Sequence, residues 1–235
     1  MSTAAEFIQG NGFLAEVVRT SRRKTASIKV EAGKVSVVAP DELPISRIEE
    51  VISKKNRWIK EKLLLHSQAM AVKPKEYVSG ESFSYLGKNY RLKVVQGSPI
   101  SVKLLQGYLT VMTPEPLNPV KTKKLIEGWY RERAEKKLRE KSERFAKQMG
   151  VTFASVGIKS FKSRWGSCSG DGNILYNWRI IMAPNGIVDY VVVHELCHLI
   201  HHNHSPEFWK AVGKVVPDYQ REKEWLRSNR DMIIT

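Results

Sequence analysis

The order of apolar and polar positions along this chain repeats. Ser27-Ile28-Lys29-Val30-Glu31-Ala32-Gly33-Lys34-Val35-Ser36-Val37-Val38-Ala39-Pro40 aligns without gaps to Ser101-Val102-Lys103-Leu104-Leu105-Gln106-Gly107-Tyr108-Leu109-Thr110-Val111-Met112-Thr113-Pro114. Each copy reads as a strand, a tight turn at the glycine, a second strand and a stop at the proline. Apolar residues at helical spacing follow each copy, from about Ile45 to Leu65 and from about Pro119 to Met149. Trp58 and Trp129 sit among them and are expected to anchor the core. The pattern predicts a duplicated β-β-α unit. Between the copies, Tyr77 to Val95 reads as further short strands turning at Gly80 and Gly87, and Lys73-Pro74-Lys75 is the linker candidate.

The last third of the chain changes character. Ser163-Arg164-Trp165-Gly166-Ser167-Cys168-Ser169 leads through Gly170-Asp171-Gly172-Asn173 into Ile174-Leu175-Tyr176-Asn177-Trp178-Arg179-Ile180-Ile181, a hairpin signal with strands on both flanks. Such a hairpin either offers a sheet edge to an extended peptide or merely roofs the helix that follows. That helix is predicted by the apolar run Ile187-Val188-Asp189-Tyr190-Val191-Val192-Val193 behind the turn Pro184-Asn185-Gly186. It carries His194-Glu195-Leu196-Cys197-His198. Residues four apart share a helical face, so both imidazoles can reach one ion, with Glu195 placed to take a proton from an activated water.

A hydrolytic zinc site needs a third protein ligand. Five of the six histidines fall between His194 and His204, and only His66 lies elsewhere, a clustering that packing does not explain. His204 follows His198 by six residues, the spacing of extended zincin motifs, although His201 stands where those motifs have glycine. Ser205 as N-cap and Pro206 at the first helical position start a new helix, so His204 falls on the turn between two helices. His204 is the preferred third ligand, His201 and His202 are weaker candidates, and Glu207 is the fallback. Tyr190, His202, Tyr219 and Arg164 are candidates to stabilise an oxyanion. Asp218 reads as either a partner for a ligand histidine or a solvent-facing residue. Cys197 points off the ligand face as core filling, and Cys168 reads as a half-buried thiol that could fall near the site.

Composition narrows the class. The 235 residues can bury a substantial core, as one elaborate domain or two small ones. No apolar run is long enough to span a membrane, and the N-terminus lacks the basic start and apolar core of a signal peptide. Two cysteines make no disulfide framework, so a cytoplasmic location is expected. The formal charge of +15 makes nucleic acid or another polyanion a candidate partner. From Arg131 to Lys147, however, cations interleave with Glu132, Glu135, Glu140 and Glu143 in the manner of a solvated helix with i,i+4 pairs.

Taken together, Arg164-Trp165-Gly166-Ser167-Cys168-Ser169, Asn177-Trp178-Arg179, Ala183-Pro184, the Asp189–His198 run, and Asn203-His204-Ser205 with Phe208-Trp209 resemble the YgjP-like/SprT-like zinc metallopeptidases. Arg23-Lys24-Thr25 and the Trp58 helix extend the resemblance over nearly the whole chain. It implies His194, His198 and His204 as ligands of one zinc ion and Glu195 as the catalytic carboxylate; the substrate does not carry over, and a polypeptide is expected from the metal-assisted peptide hydrolysis that such a site performs. The expected fold is α+β: a zincin-like region, residues 119–235, with a mixed sheet packed on the motif helix, preceded by a β-rich region, residues 1–118, with the repeated β-β-α units. Two rival functions remain at this stage. One is a nucleic-acid-associated binding protein with a structural zinc site; the other is a zinc hydrolase of a non-peptide amide or ester.

Overall fold

The protein is described here by a computed structural model that covers residues 6–21, 25–31, 33–70 and 75–229. Its chain divides into two units, Met1–Pro74 and Lys75–Thr235. Arg23, Lys24, Lys73 and Pro74 lie outside the described residues.

In the first unit, strands β1 (Glu6–Gly10), β2 (Phe13–Arg19), β3 (Ser27–Glu31) and β4 (Lys34–Ala39) form one sheet in the order β1-β2-β4-β3. Only β2 and β4 run parallel. Side chains alternate across a strand, so Phe13, Ala15 and Val17 are buried while Leu14, Glu16 and Val18 face outward. Helix α1 (Ile45–Met70) covers the inner face and contributes Ile48, Ile52 and Ile59 to this core. Trp58, expected in the core, is 39% exposed. It precedes Ile59, and one residue turns a helix by about 100°, which carries the indole off the buried stripe.

The second unit opens with the same arrangement. Strands β5 (Ser82–Tyr85), β6 (Lys88–Gln96), β7 (Ser101–Leu105) and β8 (Tyr108–Thr113) take the order β5-β6-β8-β7, again with one parallel pair, β6 and β8. Each helix thus follows four strands, not the two read from the repeat. The earlier hairpins, β1-β2 and β5-β6, diverge enough in sequence to hide the correspondence.

Helix α2 (Pro119–Met149) is 31 residues long. Asn118 caps its start by accepting from the Lys121 N–H, and Gly150 ends it in the left-handed conformation, φ 67°. The helix is in contact with β7 and β8, and also with β9 (Ser155–Lys159), the 3-10 turn Trp178–Met182 and α3 (Asn185–Cys197). One apolar cluster therefore runs from Phe83 in β5 to Leu226 in α5 (Tyr219–Ser228). The expected boundary at residue 118/119 falls between β8 and α2, inside the second unit, because α2 is shared by both halves of that core.

The charged face of α2 is only partly solvated. Lys137 and Glu140 pair at i,i+3 spacing, but Lys141 is buried. Beyond α2, β10 (Gly166–Cys168) pairs antiparallel with β11 (Asn173–Asn177), which runs parallel to β9, giving a mixed sheet in the order β10-β11-β9. The second strand of the predicted hairpin stops at Asn177, earlier than read from sequence. The Asn177 side chain accepts from the Arg179 N–H and turns the chain into the 3-10 segment.

Candidate metal centre

Helix α3 is apolar on nearly every side. Ile187, Val188, Tyr190, Val191, Val192, Val193, Leu196 and Cys197 are all buried, as expected for a helix inside a core. Its first turn is tied to α2 by the buried Lys141, whose ammonium donates to Asn185 Oδ1 at 2.9 Å and to the Asp189 carboxylate. Arg144 reaches the same carboxylate at 3.2 Å. The far end of the helix carries the chemistry: His194 and Glu195 lie in its last turn and His198 is its C-cap.

The chain then turns back. Ser205 caps α4 (Pro206–Val215) by accepting from the Phe208 N–H, and Pro206 occupies the first turn. His204, just before this cap, swings toward α3. One nitrogen from each of His194, His198 and His204 lies within 4.8 Å of the others, and His204 Nε2 stands 3.0 Å from His194 Nε2. Among the described residues this is the one His/Cys/Asp/Glu group arranged to hold a metal ion.

Proton positions agree with such use. His198 Nδ1 is 3.1 Å from the His201 carbonyl, which can only accept, so Nδ1 carries the hydrogen and Nε2 keeps its lone pair. Burial pushes His194 down to about 3, with His198 and His204 adding repulsion, and burial also lowers His198. Neutral imidazole is the form that ligates metals. His194 Nδ1 is buried without a hydrogen-bond partner among the described residues. Three imidazoles converging on one point are a donor set that fits a divalent ion, zinc above all.

Phe208, fully buried, forms the base of the cluster, its ring centroid 4.9, 4.7 and 4.8 Å from those of His194, His198 and His204. On the outer side Trp209 stacks on His204, and Tyr219 stacks on Trp209 at 5.3 Å and 15°. The sequence places Phe208 in the new helix start and Trp209 only in the resemblance, with no role at the site for either. Their spacing after a capped helix start, on the face turned toward the motif, is the signal that identifies them as packing against the histidines.

Glu195 is 5% exposed, and burial pushes its carboxyl up to about 8 while Arg164 pulls the other way. It opens with His194, His198 and His204 onto a cavity of about 530 Å³. Of the four oxyanion candidates, Arg164, Tyr190 and His202 line this cavity; Tyr219 is occupied in the stack on Trp209. Cys168 also lines it, half-buried, and Cys197 is fully buried in the core. Gly166 passes directly against the carboxylate: a Cβ there would lie 2.6 Å from Glu195 Oε1. Glu207 sits exposed in the first turn of α4 and interacts with Ser205, and Asp218 is exposed at the start of α5.

A family profile described as YgjP-like, metallopeptidase domain, matches residues 24–229. The chain belongs to the YgjP-like family. This member is a metal-dependent peptidase acting on polypeptide. No curated protein matches it. Among solved structures, it is similar to the metallopeptidase zymogen abylysin of Pyrococcus abyssi, at 22% identity and a TM-score of 0.37, over 39% of this chain and 93% of that one. Among the described residues of this YgjP-like chain, no helix is long and apolar enough to cross a membrane.

Proposed function

We propose that His194, His198 and His204 hold one zinc ion and that Glu195 is the general base of peptide-bond hydrolysis on a zincin-like scaffold. The observation that carries this reading is the convergence of three imidazole nitrogens within 4.8 Å on a cavity that also exposes a buried carboxylate. When bound, the ion supplies Lewis acidity that polarises the scissile carbonyl and acidifies water.

The chain's own residues do the rest. Glu195 accepts the proton of the attacking water and delivers it to the departing amine. Arg164, Tyr190 and His202 line the same cavity and are the candidates to donate to the developing oxyanion. Strand β10 stands at the edge of its sheet, paired with β11 on one side only. Its residues Gly166, Ser167 and Cys168 line the cavity, so an extended peptide pairing with this edge has its backbone carried past Glu195. The related strand orders of the two four-stranded sheets favour a duplication of a four-strand-plus-helix unit.

The test is metal content measured beside peptide-library cleavage. Wild type should carry about one zinc per chain, His204→Ala should lose it, and Glu195→Gln should keep it while losing cleavage. Metal-loaded Glu195→Gln that still cleaves peptides would remove Glu195 from the mechanism.

A further inference from the structure

The two four-stranded sheets share an order but not a surface. In the first unit the strands hold three carboxylates, Glu6, Glu16 and Glu31, against three cations, Arg19, Lys29 and Lys34. In the second, β5 to β8 contain Lys88, Arg91, Lys93 and Lys103 and no carboxylate at all.

Register makes the comparison position by position. Glu16 pairs with Ser36 in the first sheet, and Lys93 pairs with Thr110 in the second. Ser36 and Thr110 are equivalent in the repeat, so Glu16 and Lys93 occupy the same place with opposite charge. By the same correspondence Leu14 is replaced by Arg91 and Glu31 by Leu105. The fold therefore does not require a cationic face, and the second sheet has one nonetheless.

That face is continuous. Burial alternates along β6 and β8, turning Leu92, Leu109 and Val111 inward and leaving Arg91, Lys93 and Tyr108 exposed. Thr110 pairs with Lys93 on one side and with Lys103 on the other, so one row across three strands reads Lys, Thr, Lys. In the adjacent row Arg91 pairs with Ser82 and with Tyr108. Tyr108 is 39% exposed, and the Lys93 ammonium lies 5.9 Å from its ring centroid. Ser82, Arg91 and Tyr108 also line a hollow of about 490 Å³ with Asn89 and Gln106. Arg91, Lys93 and Lys103 make no ion pair among the described residues.

We propose that the outward face of the β5-β6-β8-β7 sheet binds single-stranded nucleic acid, with Arg91, Lys93 and Lys103 on the phosphates and Tyr108 as a stacking platform for a base. Cations tracking a backbone beside an exposed aromatic ring are the combination that single strands use, and hydroxyls such as Thr110 add donors to phosphate. An acidic polypeptide would satisfy the cations but leave Tyr108 without a stacking partner. The inference is independent of the metal centre.

The test is fluorescence anisotropy of a labelled oligothymidylate of about twenty nucleotides, titrated with the full-length, metal-loaded protein at several salt concentrations. Arg91→Ser/Lys93→Ser/Lys103→Ser should weaken binding at least about tenfold at low salt and flatten the log–log salt slope by about 2, since each phosphate contact on a single strand contributes about 0.7. Lys124→Ser/Lys136→Ser/Lys147→Ser removes the same charge from exposed positions of α2 and should change affinity less than about twofold. Tyr108→Leu should cost about fivefold or more, with Tyr108→Phe restoring wild-type affinity. All variants alter exposed side chains, and thermal melts should match wild type. Equal losses from the two triple variants would overturn the assignment to this face. Full competition by polyglutamate together with an unaffected Tyr108→Leu would replace nucleic acid with an acidic polypeptide. Absence of binding at low salt would end the proposal.

Discussion

The imidazole of His204 lies against the indole of Trp209, ring centroids 5.5 Å apart and planes 23° from parallel. His204 is the one exposed member of the three-histidine cluster and sits on a turn, where nothing in the backbone fixes its ring. Trp209 supplies that restraint, itself stacked with Tyr219 and with the Lys223 ammonium 4.1 Å from its ring centroid. Groups that orient ligands are worth about 10- to 100-fold in metal affinity. Trp209→Ala should therefore weaken zinc binding by about tenfold in competition with a chromophoric chelator, and Trp209→Phe should recover part of the loss. Zinc affinity unchanged in Trp209→Ala would show that the turn alone orients His204.

Gly166 tests how closely the carboxylate is held. A methyl group at this position would meet Glu195 Oε1, Cγ and Cδ at 2.6, 2.7 and 2.8 Å, so Glu195 has to move. Misplacement of a reacting group by about 1 Å can cost about a hundredfold in rate. Gly166→Ala should keep its zinc and its melting temperature while kcat falls by one to two orders of magnitude with little change in KM. A variant with normal kcat would mean that the edge of β10, not the carboxylate, gives way.

The convergence of the three histidines was legible in sequence because side-chain spacing on a helix is a local property. His194, Glu195 and His198 need only the 3.6-residue period to converge, and Ser205-Pro206 marks the turn that returns His204. What surrounds them was legible only in part: Arg164, Cys168, Tyr190 and His202 were candidates and line the cavity, but the closest approach was not among them. Gly166 reaches Glu195 through a sheet edge some thirty residues earlier in the chain, a contact that no local pattern encodes. The repeat revealed β3-β4 and β7-β8, where turn glycines and stop prolines are retained, but missed the β1-β2 hairpin, whose face residues differ from those of β6. Lys141 was read as one more solvated cation, since its partners Asn185 and Asp189 come from another helix. Trp58 misled for the complementary reason: residue type suggested burial, and its angular position on α1 decided otherwise.

Lys141 and Asp189 make a pair whose side chains are only 5% and 20% exposed. Removing one partner of a buried pair strands the other charge and typically costs about 3–5 kcal/mol. Asp189→Ala should therefore lower stability by about that amount in chemical denaturation. Adding Lys141→Met should recover much of the loss, because an apolar replacement removes the stranded ammonium. Should the double variant be no more stable than Asp189→Ala, packing around Asp189 and not the uncompensated charge is what matters.

The two thiols differ in position but not in acidity. Cys168 lines the cavity half-buried and Cys197 is fully buried, yet burial pushes each up to about 11 from the ordinary 9.0, with Glu195 adding to the effect at Cys168. Alkylation proceeds through the thiolate, and raising the pKa lowers its population at neutral pH. The thiolate fraction of Cys168 near pH 7.5 should be roughly a hundredfold below that of an unperturbed thiol. Iodoacetamide should label Cys168 in the folded protein correspondingly slowly, with a rate rising about tenfold per pH unit until it levels near pH 11. Cys197 should stay unlabelled until unfolding, because reagent access is closed to it at every pH where the core is intact. Rapid labelling of Cys168 at neutral pH, followed by mass spectrometry of the Cys168 peptide, would show a thiolate stabilised by a cation in the cavity, whose lining includes Arg164.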